Sequence, residues 1–194
     1  MQTQPPKSKL VETAAALIYR QGWNATGINQ ILTEARVPKG SFYYHFHSKD
    51  ELGVAIVKFH GQKLQETYVC TLLNEQLTGR EALEAFFDWL LERQSRNEWR
   101  LGCPIGSFTN EIADSSELIA PACREVLVSM LAVFSATILR GQKDQTIVAT
   151  DDANELGMLV ASALQGAMLL MKTVRQEAPL RIAIECIRRK LFRG

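Results

Sequence analysis

Ten consecutive residues, Val37-Pro38-Lys39-Gly40-Ser41-Phe42-Tyr43-Tyr44-His45-Phe46, gather an ammonium, a hydroxyl, two phenols and an imidazole around a pair of phenylalanines. Phe42 and Phe46 are four apart, hence on one face of a helix, where they can bury against Ile28, Ile31 and Leu17. Ser41, Tyr43, Tyr44 and His45 are left around the remaining surface. Lys39 and the free N–H groups at the helix start suit phosphate, and Gly40 lets a partner approach the backbone closely. Tyr43 and Tyr44 reach phosphate or a thymine methyl, while Ser41 can contact backbone or base. His45 also fits a packing role. Tyr43 fits one less well, because the two phenylalanines already fill the inner face.

A second chemistry is offered by Gly102-Cys103-Pro104-Ile105-Gly106. A thiol at a helix N-terminus has its thiolate stabilised by the dipole and by free N–H groups, and Arg100 is close in sequence, so Cys103 could sense electrophiles or oxidants. The alternative is a small buried residue that shapes a turn. Phe86, Trp89, Leu90, Phe108, Met130, Phe134, Met168 and Met171 could line an apolar cavity between helices, although the same spacing serves a plain core. With Cys103, the residues Trp89, Phe108, Phe134 and Met168 form the candidate effector set.

Enzyme chemistry lacks its parts. There is no Gly-rich phosphate loop after a strand, no G-x-S-x-G elbow and no metal-ligand cluster. Glu111 and Asp114 near Cys103 have no histidine in their half of the chain. His45-x-His47 without a nearby carboxylate or thiolate is weak ground for a metal. Cys70, Cys103, Cys123 and Cys186 show no C-x-x-C spacing, so free thiols in a reducing cytoplasm are expected. No cofactor is called for.

The elements that must position these groups all read as helices. After a leader ending at Pro5-Pro6, Ser8 is expected to cap a helix with Leu10, Ala14, Leu17 and Ile18 inside, ended by Gly22. Thr26 should cap a second, with Ile28, Ile31, Leu32 and Ala35 inside. Arg36-Val37-Pro38 breaks it before a short third helix over 39–46. Ser48 with Glu51 is a capping box opening a long helix toward Leu73, and Thr78 with Glu81 repeats the pattern before a helix to about Arg96. A short helix to Ala113 follows Pro104, then helices over roughly 116–141, 151–176 and 180–192. The first three are too small a unit to stand without the long fourth.

With 194 residues, the chain has room for one small unit and one larger one. Its net charge is only +1, yet residues 1–60 carry seven lysines and arginines against four acids, a net of +3, leaving −2 for the rest. A basic head on an acidic body suits DNA binding by one end. No signal peptide is visible and no run approaches the ~20 apolar residues of a membrane span; Leu156–Met171, interrupted by Gly157, Ser162, Gln165 and Gly166, reads as a buried helix. The expectation is therefore a cytoplasmic chain without a membrane partner. In the last two helices Gly157, Ala161 and Ala163 among Leu156, Leu159, Val160, Leu164 and Leu169 permit close helix approach, either across a four-helix dimer interface or within one chain.

Lys39 through Phe46 closely resembles the pattern of the tetracycline-repressor (TetR) family: lysine, glycine, a small polar residue, a bulky apolar one, tyrosine, two variable positions, phenylalanine. Ser48-Lys49-Asp50-Glu51-Leu52 and Gly22-Trp23-Asn24-Ala25-Thr26 match as well, so the resemblance spans residues 8–58. It implies an all-α fold. A helix-turn-helix DNA-binding domain (1–50) would be joined by a long helix to an effector-binding and dimerisation domain (51–194). It implies phosphate clamps at Thr26 and Lys49, with Lys39, Gly40, Ser41, Tyr43, Tyr44 and His45 in or beside the major groove. Such proteins act as homodimers on a double-stranded operator and are released by a small-molecule inducer, which this sequence does not identify. Gly102-Cys103-Pro104 resembles a segment in a subset that includes regulators of drug and reactive-electrophile responses. A helical adaptor that does not read DNA is the alternative; it leaves the outward face of Lys39–His45 without a reason to be basic and aromatic.

Overall fold

Apolar residues at three-to-four spacing, punctuated by Gly and Pro, give nine helices among the described residues, 5–112 and 115–192, of this computed structural model. They are α1 (Pro6–Gln21), α2 (Ile28–Ala35), α3 (Lys39–His45), α4 (Lys49–Cys70), α5 (Gly79–Arg96), α6 (Pro104–Ile112), α7 (Ile119–Lys143), α8 (Ala153–Val174) and α9 (Ala178–Phe192). Residues 1–4 of the expected leader, and Ala113 and Asp114, lie outside the described residues.

Three start signals act differently from expectation. α1 begins at Pro6 behind Pro5, not at a Ser8 cap, because proline's fixed φ and missing N–H suit a first turn. The cap of α2 is Gly27; Thr26 is fully buried and its hydroxyl donates to Gly22 O at 2.7 Å. α9 starts at Ala178 rather than near residue 180, with Pro179 in its first turn. The other two signals hold. Ser48 Oγ accepts from Glu51 N while the Glu51 carboxylate accepts from His47 N, and Thr78 with Glu81 forms a full capping box.

The chain divides into two compact units. The first comprises Met1–Lys63 with Pro104–Val126, and the second comprises Leu64–Cys103 with Leu127–Gly194. Compactness therefore does not follow chain order as a division at residue 50 would, because the segment carrying α6 and the start of α7 belongs with α1–α3. The core of the first unit is built from Leu10, Ala14 and Ile18 of α1, Ile31 and Ala35 of α2, Phe42, Phe46, then Leu52 and Ile56 of α4, joined by Ile105, Phe108 and Ile119. α4 approaches so closely there that a Cβ on Gly53 would stand 2.5 Å from Ile119 Cδ1 and 2.8 Å from Trp23 Cη2.

In the second unit Leu83, Phe86, Phe87 and Leu90 of α5 pack with Phe134 and Ile138 of α7, Leu156, Val160, Leu164, Met168 and Met171 of α8, and Leu180, Ile184 and Ile187 of α9. Each fully buried Leu, Ile or Phe contributes about 1.5–3 kcal/mol relative to exposure. The backbones of α5 and α7 touch: a Cβ on Gly79 would meet Gly141 N, so neither position has room for a side chain. Arg188 makes a two-pronged hydrogen bond to Glu84, with Nε 2.9 Å and Nη2 2.5 Å from Oε2.

By length and composition alone, α7 and α8 are apolar enough to cross a membrane, contrary to the sequence expectation. The interrupting Gly, Ser and Gln residues of α8 are outweighed by its Leu, Met, Val and Ala. One face of α8 accounts for much of that apolarity, since Leu156, Val160, Leu164, Met168 and Met171 are buried in the core of the second unit. The small residues belong there too. Gly157 lies against Ser135 of α7, where a Cβ would come 2.5 Å from Ser135 Oγ, and Ala161 is 3% exposed.

Candidate nucleic-acid interface

α2 ends on Arg36, whose φ of 53° places it in the left-handed region, and the N–H of Val37 closes back on Leu32 O. Pro38 then opens α3. This turn delivers the seven residues of α3 with one face inward: Phe42 is fully buried, Phe46 is 3% exposed, and their rings lie 5.8 Å apart. The outward face is aromatic and polar. Tyr44 is 82% exposed and edges onto His45 at 4.9 Å; Tyr43 is 49% exposed and edges onto Phe42 at 5.2 Å. Lys39 and Gly40 are exposed, Ser41 and His45 half-buried. Apart from its chain neighbours and its own helix backbone, no atom of the described residues comes within 4 Å of a Cβ built on Gly40, so packing against the rest of the unit gives no reason for a glycine there.

At 82% exposure Tyr44 presents its phenol to solvent, and its neighbours bring charge and hydroxyls rather than more apolar surface. The arrangement can lie against a phosphate backbone and offer phenol and hydroxyl groups to base edges.

Lys49, at the start of α4, is tied inward. Its Nζ donates to Trp23 O at 2.7 Å and sits 4.2 Å from the Trp23 ring centroid. Partial burial pulls its pKa below the ordinary lysine value, against the opposing pull of Asp50 and Glu111. Thr26 reaches into the unit rather than outward. Of the two clamp residues, then, one has its hydroxyl buried and the other its ammonium already engaged.

Glu111 of α6 is a residue that sequence reasoning did not assign here. Its carboxylate accepts from the backbone N–H of Trp23 at 2.9 Å and of Asn24 at 3.2 Å, so it holds the turn between α1 and α2. Gly22 makes this possible: its φ is +91°, and a Cβ there would stand 3.0 Å from Glu111 Oε1. Nearby, Ser116 Oγ donates to Asp50 Oδ2 at 2.6 Å and accepts from Ile119 N. The Glu111 contacts and the Ser116–Asp50 contact span 66 to 88 positions in sequence and leave no local pattern to read. Only Gly22 is a visible trace.

The candidate effector residues are not all brought together. Phe134 and Met168 are core members of the second unit, and Trp89 and Cys103 pack partly buried against the same cluster. Phe108 belongs instead to the first unit, where its ring lies 5.6 Å from that of Trp23. An aromatic at helical spacing fits either core, which is why the sequence misplaced it. Cys103 immediately precedes α6 and is half-buried, Cys70 and Cys186 are exposed, and Cys123 is buried. Among the described residues no group of three or more His, Cys, Asp or Glu is placed to hold a metal.

Residues 10–56 match the model of bacterial regulatory proteins of the tetR family. Residues 80–186 match that of the C-terminal domain of LmrA/YxaF-like transcriptional regulators. The chain is 32% identical to the HTH-type transcriptional regulator YxaF of Bacillus subtilis, over 93% of this chain and 92% of that one. It is 28% identical to the HTH-type transcriptional repressor DhaR of a Mycobacterium species, over 93% and 89%. Among solved structures, Escherichia coli NemR in its reduced form superposes with a TM-score of 0.88 at 22% identity, covering 98% of this chain and 100% of that one. A TetR regulatory protein from Rhodobacter sphaeroides does so with a TM-score of 0.88 at 23%, covering 95% and 97%. At those identities the two structures speak for the fold. With both halves of the sequence matched and the short third helix showing its phenols outward, the chain belongs to the TetR family and is a DNA-binding transcriptional regulator, not an enzyme.

Proposed function

We propose that the chain is a cytoplasmic repressor that holds a pseudo-palindromic operator as a homodimer and lets go when an inducer acts on its second unit. The observation that carries the reading is α3: Phe42 and Phe46 anchor it from within, while Tyr43, Tyr44, Lys39 and Ser41 face out. Two such helices enter successive major grooves ~34–36 Å apart. Lys49 acts at a phosphate beside them by exchanging Trp23 O for a phosphate oxygen, and Gly40 and His45 lie at the groove edge; Thr26, its hydroxyl buried on Gly22 O, braces the turn instead of clamping. Repression is supported by relatives named repressors, DhaR and NemR among them.

Dimerisation uses the last two helices. What supports it is a row of large apolar side chains left exposed there: Met158, Leu159, Leu169, Leu170 and Val174 on α8, and Ile182 on α9. The effector-binding part begins beyond the head, and α4 is the element through which occupancy changes the spacing of the two α3 helices. A near-complete switch from bound to free needs about 5.5 kcal/mol of differential affinity.

Selection of genomic fragments on the purified protein, footprinted with wild type and Tyr43→Ala, tests the reading. A dyad-symmetric site lost in the variant is the expected result. Weak binding with no preferred site, unchanged by the substitution, overturns it. For an inducer that is an electrophile, Cys103 at the mouth of α6 is the acceptor, and the Gly102-Cys103-Pro104 segment is its setting. Alkylation followed by mass spectrometry then has half-buried Cys103 reacting ahead of exposed Cys70 and Cys186; equal or slower reaction removes the electrophile branch.

A further inference from the structure

Buried polar atoms in folded proteins are almost always hydrogen-bonded, because leaving one unpaired away from water costs free energy. Among the described residues the second unit breaks this rule at three atoms; one, Arg140 Nε, belongs to a guanidinium whose Nη2 donates to Leu72 O, and the other two lie in the core. Tyr68 of α4 is 3% exposed and its hydroxyl has no partner; Gln94 of α5 is fully buried and its Oε1 has none. The amide Nε2 of Gln94 is little better served, with only the soft acceptor Met168 Sδ at 3.8 Å.

The two orphans bracket an aromatic stripe. Phe86, Leu90 and Gln94 follow at four-residue spacing on α5, so they share a face, and the first and last stand two turns, ~12 Å, apart. At the Phe86 end the Tyr68 ring lies 5.9 Å away and that of Phe134 5.3 Å away. At the Gln94 end stands Met168, an unbranched, adaptable side chain that can repack around a guest. Burial first, and Cys103 second, push the Tyr68 phenol well above its ordinary pKa, so it stays a neutral O–H. Among the described residues the buried polar side chains of this unit are Thr71, Gln94 and Thr137, none of them charged, so a charged guest would be buried there without a counter-ion.

We propose that this core receives a neutral, elongated, largely aromatic molecule with a hydrogen-bonding group at each end. One end donates to Gln94 Oε1; the other, on the order of 10 Å away, meets the Tyr68 hydroxyl. Met168 withdraws from the Gln94 amide as the guest enters. This rests on the reading that the second unit takes the inducer, and it names the inducer's chemical class.

The test uses the full chain without DNA, with three probes: 4,4′-dihydroxybiphenyl, biphenyl, and biphenyl-4,4′-dicarboxylate. Quenching of tryptophan fluorescence follows binding, Trp89 being packed against the same cluster. The diphenol is expected to bind at least about tenfold more tightly than biphenyl, and the dicarboxylate not at all. Tyr68→Phe and Gln94→Met should each remove about tenfold of the diphenol's affinity while the melting temperature holds or rises, since each deletes an orphan. Equal affinity for diphenol and biphenyl, or preference for the dicarboxylate, overturns the proposal on the wild-type chain alone. So do variants that melt lower with unchanged diphenol affinity, which would mean that ordered water satisfies both atoms. A chain that binds the diphenol but selects no operator overturns the repressor reading and leaves this one. A chain that selects an operator and ignores the diphenol does the reverse.

Discussion

The two units differ in how they treat the side chains that single them out. In the first, side-chain chemistry is turned outward on α3, and Thr26, Ser116 and Glu111 have their polar atoms paired within the chain. In the second, Tyr68 and Gln94 carry polar atoms inward with no partner at all. A surface that shows phenols over a rigid base suits a partner that is large and cannot be enclosed. An interior with unpaired atoms suits one small enough to be swallowed.

The contrast breaks most visibly at Phe42. Phe42→Ala empties a fully buried position and should cost about 3–5 kcal/mol. Calorimetry of the variant is expected to show a weakened transition for the head while the second unit keeps its own; a single transition shifted as a whole would show that the two units do not melt separately. Glu111→Ala should cost about 1–3 kcal/mol, because the N–H groups of Trp23 and Asn24 lose their acceptor. Faster amide exchange at those two residues is the measurement. Unchanged exchange would show that Glu111 does not hold the turn.

Surface substitutions sharpen the comparison from the other side. Tyr44→Ala, at 82% exposure, should move stability by no more than about 0.5 kcal/mol while weakening operator binding by roughly 1–3 kcal/mol. Lys39→Ala should weaken all sequences alike and lower the salt slope by about one. Equal loss of stability and binding for Tyr44→Ala would mean that α3 is a packing element only. The smallest effect is at the head of α5, where Thr78→Ala removes a capping box worth about 1 kcal/mol. There the Glu81 carboxylate is held below its ordinary pKa by the Thr78 N–H and hydroxyl. Its folded pKa lies below its unfolded one, so this contribution is present above the usual carboxylate range and fades as pH falls through the lowered value. Acid melts of wild type should show that fading, and those of Thr78→Ala a smaller one, since the variant keeps the backbone N–H and loses only the hydroxyl.

Local patterns made most of the helices legible. Phe42 and Phe46 at four-residue spacing, the Ser48–Glu51 and Thr78–Glu81 pairs, and the breaks at Gly22 and Pro38 all act within one or two turns. Thr26 was misread for a related reason. A threonine next to a helix start looks like a cap, yet the tight turn after Gly22 offers its hydroxyl a carbonyl four residues back. What the sequence could not show was contact across distance. Glu111 meets a turn 88 residues away, Phe108 fits two cores equally well by periodicity, and the isolation of Tyr68 and Gln94 depends on what the helices packed around them leave undone.

The first unit is interrupted in the chain. After α1–α3 and most of α4, the polypeptide leaves to build α5, then returns with Pro104–Val126 to supply Phe108, Glu111 and Ile119. During synthesis the DNA-reading head therefore cannot be completed as soon as its own helices emerge; it must wait until α6 and the start of α7 have left the ribosome. The same nesting governs transplantation. A chimera that exchanges heads at residue 50 or 63 carries α3 away from the segment that closes its core. An exchange that keeps the unit whole must move two pieces of chain together.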